Sequence, residues 1–173
     1  ETEFDSDGDG KRDRMHVDVT RPKQTDTEGI KLPVVYESSP YFAGTAGNNK
    51  EYFWNVRHEL NTVPKPHIHP PQIKRRGERP VISNSQVKAW LPYGFAVVHS
   101  SAPGTGLSQG CPTIGTRIEA LAPKAVIDWL NGRAKGYTTP DGNEEVKAYW
   151  ATGKVGTIGT SYNGTIRFAT PTT

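Results

Sequence analysis

Polar and apolar residues alternate from His16 to Thr20, the two-residue period of a half-buried strand. Leu32-Pro33-Val34-Val35-Tyr36-Glu37 and Tyr93-Gly94-Phe95-Ala96-Val97-Val98-His99 are short apolar runs bounded by turn residues, and each predicts a buried strand. Val155 to Ile158 predicts another, with a helix start a few residues beyond it. Ala122, Ala125, Val126, Trp129 and Leu130 recur at i, i+3, i+4, i+7 and i+8, one face of an amphipathic helix. Pro123 is expected in its first turn and Gly132 at its stop. Residues 43–80 show little period and many prolines, including Pro64, Pro66, Pro70 and Pro71. A loop of that length in a compact domain is usually functional, so a proline-rich insertion over a site is expected there. Gly136 to Asn143 reads as a turn-rich excursion.

Strand, loop, strand, helix, strand, turn, helix is the order of an α/β fold with a largely parallel sheet and right-handed crossovers. In such sheets the site lies beyond the carboxyl ends of the strands. Two residues follow strand ends there, Tyr41 and Ser161, and they are expected on one rim. Ser161 sits in Gly159-Thr160-Ser161-Tyr162-Asn163-Gly164. A serine at a tight strand-to-helix turn needs small neighbours, and the turn lifts its hydroxyl above the sheet. In the general nucleophile elbow, G-x-S-x-G, the second glycine comes one residue earlier than it does here. An ordinary glycine-flanked turn is the alternative.

Composition sets the bounds. The 173 residues suit one domain with a core of its own. Hydrophobic residues make up 34%, with 18 glycines and 14 prolines, and mean hydropathy is −0.65, so long loops are expected. The formal charge of +3 is scattered apart from Lys74-Arg75-Arg76, which argues against a nucleic-acid stripe. No apolar run approaches the roughly 20 residues of a membrane span. The chain opens at Glu1 rather than Met, which favours a processed, secreted protein, with a cytoplasmic one as the alternative. A single cysteine, Cys111, builds no disulfide framework. It is expected to be a buried thiol or half of a bridge to another chain.

Asp5-Ser6-Asp7-Gly8-Asp9-Gly10-Lys11-Arg12-Asp13 puts acids at positions one, three, five and nine of a calcium-type loop with glycine at six. Asp5, Asp7, Asp9 and Asp13 are therefore candidate ligands of a structural calcium. His16 stands where an EF-hand has its glutamate, and an Asp/Gly hairpin turn is the competing reading. His67 and His69 have no further ligands at metal spacing and read as part of a proline-rich surface loop. Gly104 to Gly110 is glycine-rich but lacks the lysine and spacing of a phosphate-binding loop.

Several of these segments resemble the Xaa-Pro dipeptidyl-peptidase family of serine peptidases. They are Ala125 to Ala134, Trp150 to Val155 and Gly159-Thr160-Ser161-Tyr162-Asn163-Gly164-Thr165, with Asp5 to Arg14, Ser39-Pro40-Tyr41 and Gly104 to Gly110 in matching order. The late glycine fits that family's G-x-S-Y-x-G pattern. The resemblance implies the α/β-hydrolase fold shared with bacterial cocaine esterase and the α-amino-acid ester hydrolases. It also implies roles: Ser161 as nucleophile, the Tyr162 amide and the Tyr41 hydroxyl as oxyanion donors, and no required cofactor. The implied substrate is a peptide with proline second. Nucleic acid and membrane are not expected partners.

A serine needs a base, and in this fold an acid and then a histidine follow it in the chain. All 5 histidines precede Ser161, and residues 162–173 contain no acid. Residues 1–173 therefore read as the amino-terminal part of an α/β-hydrolase catalytic domain, completed by a C-terminal part of the enzyme present as a separate chain or fragment. Two alternatives remain. One is an esterase or amide acylase of the same superfamily; the other is a non-catalytic, calcium-stabilised domain. The Asn163-Gly164-Thr165 sequon is not expected to carry a glycan beside a buried sheet.

Overall fold

In this computed structural model, residues 1–41, 61, 63 and 84–169 are described. Most of the predicted insertion, with His58, His67, His69 and the Lys74-Arg75-Arg76 cluster, lies outside them. The elements are β1 (Val17–Thr20), α1 (Gln24–Thr27), β2 (Leu32–Ser39), α2 (Ser85–Trp90), a 3-10 turn (Leu91–Tyr93) and β3 (Ala96–Ser101). There follow α3 (Arg117–Leu130), β4 (Gly136–Tyr137), β5 (Glu145–Val146), β6 (Ala151–Thr157) and α4 (Tyr162–Ala169).

Four strands form one sheet in the order β1-β3-β2-β6. β2 runs parallel to both β3 and β6, and β1 is antiparallel to β3. The fold is thus α/β and mostly parallel, as the order of elements predicts. Leu32, Val34, Tyr36, Ala96 and Val98 face Val126 and Leu130 of α3, with Trp150 and Ala151 completing the core. Burying each such aliphatic side chain contributes about 1.5–3 kcal/mol. Trp129 meets Trp150 edge-on at 6.4 Å and donates its indole N–H to the Val146 carbonyl at 2.8 Å. A β-carbon at Gly136 would stand 2.5 Å from that indole nitrogen, so the small β4–β5 ribbon closes on Trp129 only because residue 136 has no side chain.

Several boundaries differ from the sequence-based expectation. The strand expected from Tyr93 starts at Ala96, because Gly94, at φ 82°, ends the preceding 3-10 turn, and Tyr93 is exposed. α3 begins at Arg117, so Pro123 is interior rather than in the first turn. There it withholds the amide that would bond the Glu119 carbonyl. The last strand starts at Ala151 and is half-exposed rather than buried. It pairs with β2 alone among the described strands, and its register shifts between Leu32 and Val34, where Gly153 takes φ 82°. Gly132, at φ 73°, does close α3.

Cys111 is exposed, not buried. Its amide donates to the Ser6 hydroxyl at 2.9 Å, which fixes that loop on the surface. The glycines before it serve packing. A β-carbon at Gly110 would come within 2.3 Å of both Asp13 and Ser6, and one at Gly104 within 2.3 Å of Pro112.

Candidate active site

The sheet turns from apolar to polar towards its carboxyl ends. Val34, Val35, Ala96, Val97 and Val98 give way to buried Glu37, Ser38, Ser39, His99, Ser100 and Ser101. The Tyr36 hydroxyl and Ser100 lie 2.7 Å apart, and Ser100 donates to Ser38 at 3.3 Å. Burial raises the Tyr36 phenol well above its ordinary value, so it stays a neutral hydrogen-bonding group.

Ser161 follows β6 on this rim. It has φ 58° and is exposed. A non-glycine residue in the left-handed region costs about 1–3 kcal/mol and persists only where its surroundings enforce it. Here they do. A β-carbon at Gly159 would stand 2.5 Å from the carbonyl carbon and oxygen of Asn163, and one at Gly164 would stand 3.1 Å from the Gly159 carbonyl oxygen. The chain therefore folds back on itself at those two positions. The Ser161 carbonyl accepts from the amides of Gly164 at 2.9 Å and Thr165 at 3.2 Å. The first two amides of α4, those of Tyr162 and Asn163, have no earlier turn to bond to, and this end of a helix favours negative charge.

Tyr162 donates its hydroxyl to Glu119 Oε2 at 2.6 Å and accepts from the Gly115 amide at 3.3 Å. Burial, then the Glu119 carboxylate, push the Tyr162 phenol up. The Tyr41 phenol adds in the same direction. Tyr41 is 52% exposed, and its amide is held by Ser39 Oγ at 3.0 Å. The parallel pairing of Tyr36 with Thr157, extended by the Ile158 amide on the Tyr36 carbonyl, brings the segments carrying Tyr41 and Ser161 out side by side. No hydrogen bond joins the Tyr41 hydroxyl to Ser161.

Three residues of this region escape sequence reasoning. Asn163 is buried, and its Nδ2 donates to Glu37 Oε1 at 2.9 Å. In sequence it shows only as the variable position of the G-x-S-Y-x-G pattern and as part of a glycan sequon. Glu37 ends the predicted apolar run, and that one acid in a buried strand is the signal for it. Glu119 lies upstream of the predicted helix start and gives none. His99 is buried, with Nε2 3.9 Å from Glu37 Oε2, whereas Ser161 is exposed.

At the other end of the chain, carboxylate oxygens of Asp5, Asp7 and Asp13 lie within 4.8 Å of one another. Asp9 is not part of that group; it turns to the Lys11 amide at 2.8 Å. The Asp5 carboxylate accepts from Gly8 at 2.7 Å and Gly10 at 2.9 Å. Asp13 is buried and accepts from the amide and hydroxyl of Ser6. Oxygen donors of this kind suit a hard cation such as calcium. A separate cavity of about 350 Å³ under the β4–β5 ribbon, lined by Arg14, Trp129 and Tyr137 among others, shares no residue with the elbow.

Ser161 is thus a strained, exposed serine between a parallel strand and a helix, on the polar rim of the sheet. The solved structure of a CocE/NonD family hydrolase from Staphylococcus aureus is similar in fold, with a TM-score of 0.51 at 21% identity over 98% of this chain and 24% of that one. The family is shown by sequence. Residues 7–173 match the profile of X-Pro dipeptidyl-peptidase, the S15 family, and the chain belongs to it. A Rhodopirellula baltica relative, provisionally named an Xaa-Pro dipeptidyl-peptidase, is 68% identical over the whole chain and 28% of its own length. One from Ligilactobacillus salivarius, named Xaa-Pro dipeptidyl-peptidase, is 36% identical over the whole chain and 24% of its own length. The chain thus spans about a quarter of these relatives.

Proposed function

We propose that Ser161 is the nucleophile of a serine exopeptidase that releases Xaa-Pro dipeptides from peptide amino termini. The observation that carries this reading is the exposed, left-handed Ser161 clasped between Gly159 and Gly164, in a chain of the X-Pro dipeptidyl-peptidase family. Ser161 Oγ attacks the carbonyl carbon of the proline and gives its proton to a histidine. That histidine and its acid lie outside residues 1–173. The oxyanion so formed is met by the Tyr162 amide and the Tyr41 hydroxyl. Losing one such donor costs about 3–4 kcal/mol in the barrier. The C–N bond breaks, the amine leaves with the proton, and water hydrolyses the acyl-enzyme. The remaining part of the enzyme is proposed to pair along the open side of β6, where Thr152, Lys154 and Gly156 are exposed.

An esterase or amide acylase is the second reading, supported by the likeness in fold to the CocE/NonD hydrolase. Hydrolysis of a Gly-Pro anilide set against a simple aryl ester in the full-length protein separates the two. Loss of both activities and of fluorophosphonate labelling in Ser161→Ala is expected; retention of either activity refutes the nucleophile. For the Asp5, Asp7 and Asp13 group the proposed role is a structural calcium site remote from the chemistry.

A further inference from the structure

The two residues after Ser161 are each tied to a buried carboxylate on a different element. Tyr162 is bonded to Glu119 in the first turn of α3, and Asn163 to Glu37 in β2. Both carboxylates are nearly inaccessible, at 5% and 7% exposure. Glu119 is fixed in turn by the Gly115 amide on its Oε2 at 2.7 Å. Burying a carboxylate is costly, and a well-packed apolar residue would stabilise the fold as well. What the carboxylates supply is direction. A bond to each of two consecutive residues leaves the turn one way to sit, and the residue just before them is the strained serine.

We propose that Glu37 and Glu119 are positioning residues that clamp the start of α4 from the sheet side and the α3 side. They hold the Ser161 hydroxyl and the Tyr162 amide in their reactive places. This rests on the reading of Ser161 as nucleophile. Neither carboxylate touches the serine; each acts through the residue it binds. The left-handed backbone at Ser161 is thereby enforced by side-chain tethers as well as by the flanking glycines.

The test is the rate of fluorophosphonate labelling of Ser161 in the full-length protein, with kcat and KM for a Gly-Pro anilide. Glu37→Leu and Glu119→Leu are expected to slow labelling and lower kcat about tenfold or more while KM stays within about twofold, since misplacement of the reacting groups acts on the chemical step. Glu37→Gln and Glu119→Gln are expected to recover most of that loss, because a side-chain amide oxygen accepts the same bond. Should a leucine variant fail to fold, a swap decides. Asn163→Asp alone sets two acids together and slows labelling, and adding Glu37→Gln restores donor and acceptor and recovers the rate. Folded leucine variants that label as fast as the parent, or a swap that recovers nothing, overturn the clamp. A parent that does not label at Ser161 removes the nucleophile reading itself, and the clamp with it.

Discussion

Gly159 lies against Asn163 so closely that a β-carbon on it would stand 2.5 Å from two backbone atoms of that residue. Real β-carbons do not come so near backbone, so Gly159→Ala must open the turn. At Gly164 the nearest atom is the Gly159 carbonyl oxygen at 3.1 Å, which a shift of a few tenths of an ångström relieves. The two alanine variants should therefore differ. In the full-length protein Gly159→Ala is expected to lose about 10²-fold in kcat/KM through displacement of Ser161, the proposed nucleophile, with Gly164→Ala losing much less. Equal losses in the two would contradict this account of the turn.

Arg14 governs a different part of the molecule. Its guanidinium lies 3.7 Å from the centre of the Tyr137 ring, and Nη1 donates to the carbonyls of Pro140 at 2.8 Å and Gly142 at 2.6 Å. A lysine has the charge but not the planar fork or the stacking face. Arg14→Lys is expected to destabilise by about 1.5–3 kcal/mol, the range for bonds to a charged group. It should also speed proteolysis between Thr138 and Glu144 in the native state. Unchanged cleavage there would show that the loop holds itself.

Periodicity carries the sheet and helix, because burial on one face writes a repeat into the residues. The β1 alternation and the α3 face are read from that alone, β2 is read from its short apolar run, and the parallel order follows from the succession of elements. Boundaries are lost where a single backbone angle decides, as at Gly94, or where tertiary packing tolerates a proline inside α3. Ser161 is legible because its glycines are local in sequence. The bonds from Glu37 to Asn163 and from Glu119 to Tyr162 span 126 and 43 residues, and no local pattern records such a pairing. The acidic loop is legible as a composition, yet only the fold separates Asp9 from the other three acids.

That separation sets a prediction for calcium. A cation held by Asp5, Asp7 and Asp13 binds the folded state alone, so stability should rise with its concentration, by about 2.7 kcal/mol at a hundred times the dissociation constant. Burial pushes the Asp5 carboxyl up, but the Gly10 and Gly8 amides outweigh it and hold it below its ordinary value. Thermal unfolding with calcium and with a chelator should differ in the parent and coincide in Asp7→Ala. Coincident curves in the parent would exclude the ion.

His99 supplies the pH dependence. Burial lowers its pKa, and Asp18, its partner across the β1–β3 pair, opposes this in part. Glu37 faces it from β2 at 3.9 Å. The unfolded chain takes up a proton near pH 6.5, whereas the folded chain resists until lower pH, so unfolding becomes easier as pH falls through that value. The carboxylates act in another window. Asp26, held low by Tyr149 and Arg21, and Asp128, where Lys124 and Arg133 outweigh burial, withdraw their support only as pH falls below about 4. Between about pH 7 and pH 5 the melting temperature should decline in the parent and stay nearly level in His99→Gln, with both parting from neutral behaviour again in stronger acid. The same slope in both proteins across the upper window would mean that His99 takes up its proton as readily in the folded chain as in the unfolded one.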